Sequence, residues 1–272
     1  MVISTLQCED LDNPLGIDNT SPYFSWLLQS DKKNSRQTAY QILVASSEKL
    51  LSEGKADLWD SGKTDSEQSV WVLYRGTPLT SKSFAYWKVR VWDEDRIATK
   101  WSDPVFFGVG LLHADDWKAN YIGVDYGQEP PRSPQFWKTF QWDNTGEKAL
   151  LHVNSLGYHE VYLNGRPVSD AVLTPAVSQF DKRSLTVTYD VTGLLQKGEN
   201  DLVVWLGQGW YHDGLPGVVE GGPFVRAQLE VWKEGAWLTS LVTDGTWSAR
   251  ESGYESTWRK YRLGGEIVDA SL

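Results

Sequence analysis

The segment Val161 to Asn200, reading VYLNGRPVSDAVLTPAVSQFDKRSLTVTYDVTGLLQKGEN, constrains the fold of this chain more than any other. Val161 and Leu163 alternate with polar neighbours up to Asn164-Gly165, a dipeptide that accepts the positive φ angles of a two-residue hairpin turn. The chain is expected to reverse there. Val187 and Tyr189 then carry a second alternating strand into Asp190-Val191-Thr192, where a short Asp or Thr side chain is expected to cap a one-turn helix containing Leu194 and Leu195. Gly198 is expected to end that turn, with Asn200 opening the next strand, Leu202 to Leu206. Short strands joined by tight reversals are the wiring of an all-β sandwich.

The rest of the chain agrees. Nowhere does an apolar 3.6-residue period persist over the roughly 12 residues that a substantial helix needs, so an α-helical domain is excluded. The 15 Trp, 12 Tyr and 8 Phe supply large apolar faces, and 24 Gly with 11 Pro supply turns. In the first part of the chain, Tyr40, Ile42 and Val44 share one parity, and Trp87, Val89 and Val91 form the inward face of another strand. Between them, Ser46 and Ser47 are placed to cap a short helix through Leu50 and Leu51 that Gly54 would stop. Trp101-Ser102-Asp103-Pro104 and the strand Val105 to Val109 close the module. GLLHADDWKA, Gly110 to Ala119, reads as a domain boundary, with Asp115 or Asp116 capping a turn. Further strands are expected at Lys148 to Val153, Glu160 to Leu163, Leu185 to Tyr189, Ala227 to Trp232 and Trp237 to Val242.

This wiring resembles the N-terminal β-sandwich of bacterial α-L-rhamnosidases, with a looser likeness to the sugar-binding jelly rolls that precede β-galactosidase catalytic domains. Upstream, CEDLDNPLGIDNTSPYFSW (Cys8 to Trp26), QTAYQILVASS (Gln37 to Ser47), DLWDSGK (Asp57 to Lys63) and YWKVRVWD (Tyr86 to Asp93) resemble the immunoglobulin-like domain that opens those enzymes. Downstream, LGQGWY (Leu206 to Tyr211) and GGEIVDA (Gly264 to Ala270) are similar to segments near the end of the second domain. The resemblance implies an immunoglobulin/fibronectin III-like β-sandwich over residues 1–111, followed by a jelly-roll, galactose-binding-like β-sandwich over residues 112–272. It also implies a parent glycoside hydrolase that removes terminal α-L-rhamnose, one acidic residue acting as general acid and another activating water. The catalytic unit of that family is an all-helical barrel expected beyond Leu272. No catalytic residue is therefore carried over to this chain.

Other functions are bounded by charge and composition. A formal charge of −10 argues against binding a phosphate backbone, which needs clustered Lys and Arg, so no nucleic-acid partner is expected. No run of about 18 apolar residues offers a membrane span. The N-terminus VISTLQCED shows no secretion signal, although a leader removed upstream would leave the parent periplasmic or secreted; the compartment stays open. Cys8 is the sole cysteine, so neither an intrachain disulfide nor a cysteine-based metal site can form. His113, His152, His159 and His212 lack metal-ligand spacing, and Asp190 reads better as a cap than as a calcium ligand beside Asp181; no metal or cofactor is expected. Gly217 to Phe224, GVVEGGPF, lacks the context of a phosphate loop.

Sugar contact is the remaining candidate chemistry. Gly207 to Gly214, GQGWYHDG, is a glycine-flanked aromatic loop directly after a strand, and Trp or Tyr rings stack on the C–H face of a sugar. Trp210, Tyr211, His212 and Asp213 are the candidates there, with Tyr158 and Glu160 offered by a neighbouring strand. The competing reading has Trp210 and Tyr211 packing against the barrel of a longer enzyme. A rhamnose-containing carbohydrate and that barrel are the expected partners, and an autonomous carbohydrate-binding module or a plain structural protein are the rival classes.

Overall fold

The computed structural model describes residues 1–125, 132–143, 146–211, 215–219, 221–256 and 265–271. The chain divides into two compact units, Met1–Asp116 and Trp117–Leu272. Among the described residues the only helices are three short 3-10 turns, Glu48–Leu50, Ala114–Asp116 and Thr192–Leu194. The fold is all-β.

In the first unit the strands are β1 (Val2–Cys8), β2 (Leu15–Ile17), β3 (Tyr23–Gln29), β4 (Ala39–Ala45), β5 (Trp59–Asp60), β6 (Thr64–Asp65), β7 (Val72–Leu73), β8 (Phe84–Trp92) and β9 (Val105–Val109). One sheet has the order β1-β3-β7, and the other has the order β2-β9-β8-β4-β5, with β6 also on β4. Strand β8 alternates perfectly, so Ala85, Trp87, Val89 and Val91 are all fully buried in the core between the sheets, as their parity predicts. Trp87 stacks on Phe24 of the facing sheet at 4.3 Å between ring centroids, and Phe107 tilts against Phe24 at 5.6 Å. Trp26 is buried with its indole N–H donated to Gln37 Oε1 at 2.9 Å. This is an immunoglobulin-like sandwich.

Two local expectations are corrected here. Strand β4 is buried on both faces, because Leu43 and Ala45 form a second small cluster with Leu51 opposite the Tyr40, Ile42 and Val44 face. The Glu48–Leu50 turn has no side-chain cap: Ser46 Oγ instead donates to Asp57 Oδ2 at 2.6 Å and Ser47 makes no capping bond.

The second unit contains β10 (Arg132–Trp142), β11 (Lys148–Leu156), β12 (Tyr158–Leu163), β13 (Arg166–Pro167), β14 (Thr186–Asp190), β15 (Gly198–Gly207), β16 (Phe224–Lys233), β17 (Ala236–Val242), β18 (Ser248–Ser256) and β19 (Glu266–Val268). They form two antiparallel sheets, β13-β12-β15-β10-β18-β19 and β14-β11-β16-β17. Their inward faces meet in one core that includes Phe136, Leu151, Val153, Val161, Leu163, Leu202, Val204, Leu206, Ala227 and Leu229. This is the jelly-roll-like sandwich.

Asn164 and Gly165 do make the tight turn, at φ +53° and +74°, and Leu163 pairs with Arg166 across it. The Asn164 side chain adds a second function that its dipeptide pattern does not reveal. Its amide donates to Leu194 O and Asn200 Oδ1 at 3.0 and 2.8 Å, and its Oδ1 accepts from Asp201 N–H at 3.0 Å, tying the hairpin to β15. The following turn differs from expectation. Asp190 Oδ1 accepts from the N–H and hydroxyl of Thr192, an Asx turn, while Val191 occupies the capping position without a side-chain bond. Leu195 lies outside the short helix, and Gly198 begins the next strand rather than ending the turn.

At Gly165 nothing lies within 4 Å of where a Cβ would sit, so the cost of substitution there is conformational, not steric crowding. Gly165→Val should lower stability by about 1 to 2 kcal/mol, the penalty for an L side chain in the left-handed region. A thermal melt checks this: an unchanged midpoint would mean that the turn does not hold the register.

Candidate functional site

The candidate site is built on the outer edge of β12 and the loop that leaves β15. Side chains of β12 alternate, so His159, Val161 and Leu163 point into the sandwich while Tyr158, Glu160 and Tyr162 face outward. Tyr158 is the register partner of Gly207, at which β15 ends. The chain then turns through Gly209, at φ +53°, and a Cβ there would come within 2.8 Å of the Tyr158 ring. Both the backbone conformation and the closeness of that ring demand glycine.

Turning at Gly209 sends the next two side chains in opposite directions. Trp210 is 47% exposed and lines a shallow depression with Tyr158, Pro175, Val177, Phe180 and Leu185. Tyr211 is 2% exposed. Its ring meets Phe180 edge-on at 5.1 Å and Phe224 at 6.2 Å, and its hydroxyl accepts from Val219 N–H at 2.9 Å. Tyr211 thus ties its own β15–β16 loop and the start of β16 to the β13–β14 loop, and only Trp210 of the pair presents a surface. His212 and Asp213 lie outside the described residues.

Glu160 belongs to a neighbouring cleft of about 190 Å³, lined by Tyr162, Val168, Asp170 and Val172, with His159 and Tyr189 among its lining residues. Its carboxylate accepts from the Tyr162 hydroxyl at 2.6 Å, which raises the Tyr162 pKa above its ordinary value. The structure therefore brings Tyr158 and Trp210 together and places Glu160 in the adjacent cleft. Asn154 and Ser155 are buried in β11, which extends past the expected end at Val153; the Asn154 amide is fully used by Ser184 Oγ, Leu185 O and Thr186 Oγ1.

His159 is buried in a closed chain of hydrogen bonds. Ser155 Oγ donates to Gly157 O at 2.9 Å, so it accepts from His159 Nδ1–H at 2.7 Å, and the remaining ring nitrogen accepts from the Tyr189 hydroxyl at 2.8 Å. Every partner is satisfied by the neutral imidazole. Burial depresses its pKa to about 4 and pushes Tyr189 up to about 12.

The residues missed by sequence reasoning, Phe180, Pro175, Val177, Asp170 and Tyr162, come mostly from the long excursion between β13 and β14. That excursion returns to β12 through a bond from His159 N–H to Thr174 O at 2.7 Å. Only its exposed apolar residues, Val172, Leu173 and Val177, hint at a surface role.

The fold and this arrangement define a class first: a tandem of β-sandwich domains with an exposed aromatic at one loop end. Models of two domain families match it. Residues 3–113 match the Rha78A-like N-terminal immunoglobulin domain, and residues 144–272 match the α-L-rhamnosidase N-terminal domain. An α-L-rhamnosidase of Formosa agariphila is 38% identical over 97% of this chain, which covers 30% of that relative. Among solved structures, the α-L-rhamnosidase of Dictyoglumus thermophilum superposes with a TM-score of 0.82 at 30% identity over 93% of this chain and 30% of its own. That of Aspergillus terreus gives 0.79 at 32% identity, again over 93% and 30%. The chain is made of the N-terminal domains of the α-L-rhamnosidase family, and it spans about 30% of the length of the relatives it matches.

The His159 network generates a test. A histidine whose folded pKa is depressed from 6.5 to about 4 contributes stability that is complete above pH 6.5 and is lost as pH falls toward 4, where the unfolded chain takes up a proton that the folded chain refuses. The loss should be on the order of 3 kcal/mol. Urea unfolding of wild type and His159→Gln between about pH 7 and about pH 4 measures it. Identical pH slopes in the two proteins would show that His159 titrates normally.

Proposed function

We propose that this chain is the accessory, non-catalytic front end of an α-L-rhamnosidase, and that hydrolysis of terminal α-L-rhamnose belongs to the part of the longer relatives that it does not span. The observation that carries this reading is the coverage: the match runs over nearly all of this chain but only 30% of the relative. In the parent enzyme the two sandwiches, with domain bounds near residues 1–111 and 112–272, brace a helical catalytic barrel. Chromogenic α-L-rhamnoside incubated with the isolated chain should release no more colour than a buffer blank. Turnover that is abolished by replacing a carboxylate of this chain would overturn the proposal.

A second role is supported by the exposed Trp210 beside Tyr158. In this reading one face of a rhamnose-containing glycan rests on Tyr158 and Trp210, with Tyr211 holding the loop from behind and Glu160 in the adjacent cleft. Trp210→Ala should remove rhamnoside binding in calorimetric titration while shifting the melting temperature little, because an exposed ring contributes little to the core. No heat from the wild-type chain would leave bracing as the role of this loop; a large fall in melting temperature would mean that Trp210 packs as Tyr211 does.

A further inference from the structure

The first sandwich carries an aromatic residue that its own folding does not explain. Trp71 is 60% exposed, the most exposed tryptophan among the described residues, and lies just before β7 at φ +55°. A bulky side chain in that region is a steric outlier and persists only where its surroundings over-determine it. They do so here. Its N–H donates to Ser25 Oγ at 3.0 Å and its carbonyl accepts from Gln68 Nε2 at 3.0 Å. The indole N–H is held by both oxygens of Asp10, at 2.9 and 3.1 Å.

The anchor is itself fixed. Asp10 and Glu9 are also left-handed, at φ +59° and +53°, and the Glu9 carboxylate binds the Tyr23 N–H at 2.8 Å and the Asn19 amide at 3.0 Å. Leu11, Tyr23 and Val70, exposed at 56%, 42% and 49%, flank these contacts in sequence and pairing. A ring that only tolerated water would gain nothing from this immobilisation, since it buries little. A ring held in place before its ligand arrives loses little entropy on binding.

We propose that Trp71 is the stacking platform of a second carbohydrate-contact site, on the immunoglobulin-like domain, for the C–H face of a neutral pyranose in a glycan chain. Three observations select that class. The fixed ring supplies a flat apolar surface, and the Asp10 carboxylate at its indole edge supplies a hydroxyl acceptor, with Asp12, which accepts from Gln7 at 3.1 Å, two residues further along the chain. None of the contacts holding the platform involves a Lys or Arg, and the chain carries −10, so an anionic ligand is disfavoured. The domain family is one whose named members are glycosidases. This site is on the other domain from Trp210; it shares with the reading above only the family assignment, and the Trp71 geometry is independent of it.

Native affinity electrophoresis of the full chain tests it, in gels containing xyloglucan, galactomannan or mixed-linkage β-glucan, beside polygalacturonate as a polyanion. A Trp210→Ala background removes any contribution from the second domain. At least one neutral polysaccharide should retard this protein, and adding Trp71→Ala should weaken retardation at least about tenfold. Trp71→Phe should keep part of it, and Asp10→Asn, which weakens the indole's acceptor, should give an intermediate loss; these two decide the matter if Trp71→Ala fails to melt cooperatively. Retardation that ignores all three substitutions, retardation by polygalacturonate alone, or none in any gel would overturn the proposal. So would concentration-dependent self-association abolished by Trp71→Ala, which would give this face to a second copy of the chain.

Discussion

The second sandwich depends on one strand buried on both faces. Strand β11 sends Ala149, Leu151 and Val153 into the apolar core, and its other face carries His152 and Asn154, each 1% exposed. Buried polar groups must find partners or cost about 1 to 3 kcal/mol each. Strand β14 and the two residues before it supply them: Thr188 for His152, and Ser184, Leu185 and Thr186 for Asn154. On β16, buried Gln228 accepts the N–H groups of Lys118 and Ala119 at 2.6 and 3.2 Å and donates to Glu230, which also accepts from Thr239.

That polar layer explains the path of the segment entering the domain. Residues Trp117 to Ile122 run as a strap along β16, bonded to Gln228, Thr243 and Val225, while Trp117 and Tyr121 stack on the Arg226 guanidinium at 4.1 and 4.9 Å. The Tyr121 hydroxyl reaches Asn154. Apolar packing sets the strand order in the inner layer, and hydrogen-bond satisfaction fixes the strap on the outer one. A sheet with a purely apolar outer face would gain no comparable directionality.

Legibility in the sequence follows the range of the forces involved. Asn164-Gly165 and the Trp87, Val89, Val91 alternation are local patterns, and the structure has the turn and the buried face at those residues. Strand β10 escaped because Pro134 reads as a strand breaker; it is tolerated beside a register shift between Arg132 and Pro134. Strand β18 escaped because SARESGYES is mostly polar. At the candidate site, the sequence marked the aromatic loop but not which ring of Trp210-Tyr211 turns inward. That depends on Phe180 and Phe224, distant in sequence and brought together only by the closed sandwich.

Beside Trp210, the β13–β14 loop, the β15–β16 loop and the start of β16 are joined through the Tyr211 ring and hydroxyl. Such a joint is indifferent to loop length. Residues can be inserted or replaced around it while β11, β12 and β15 keep their register, so the surface offered to a partner can drift between related proteins without passing through an unfolded intermediate sequence. A scaffold that holds its strands by one set of contacts and its loops by another can change the face around Trp210 without changing its fold.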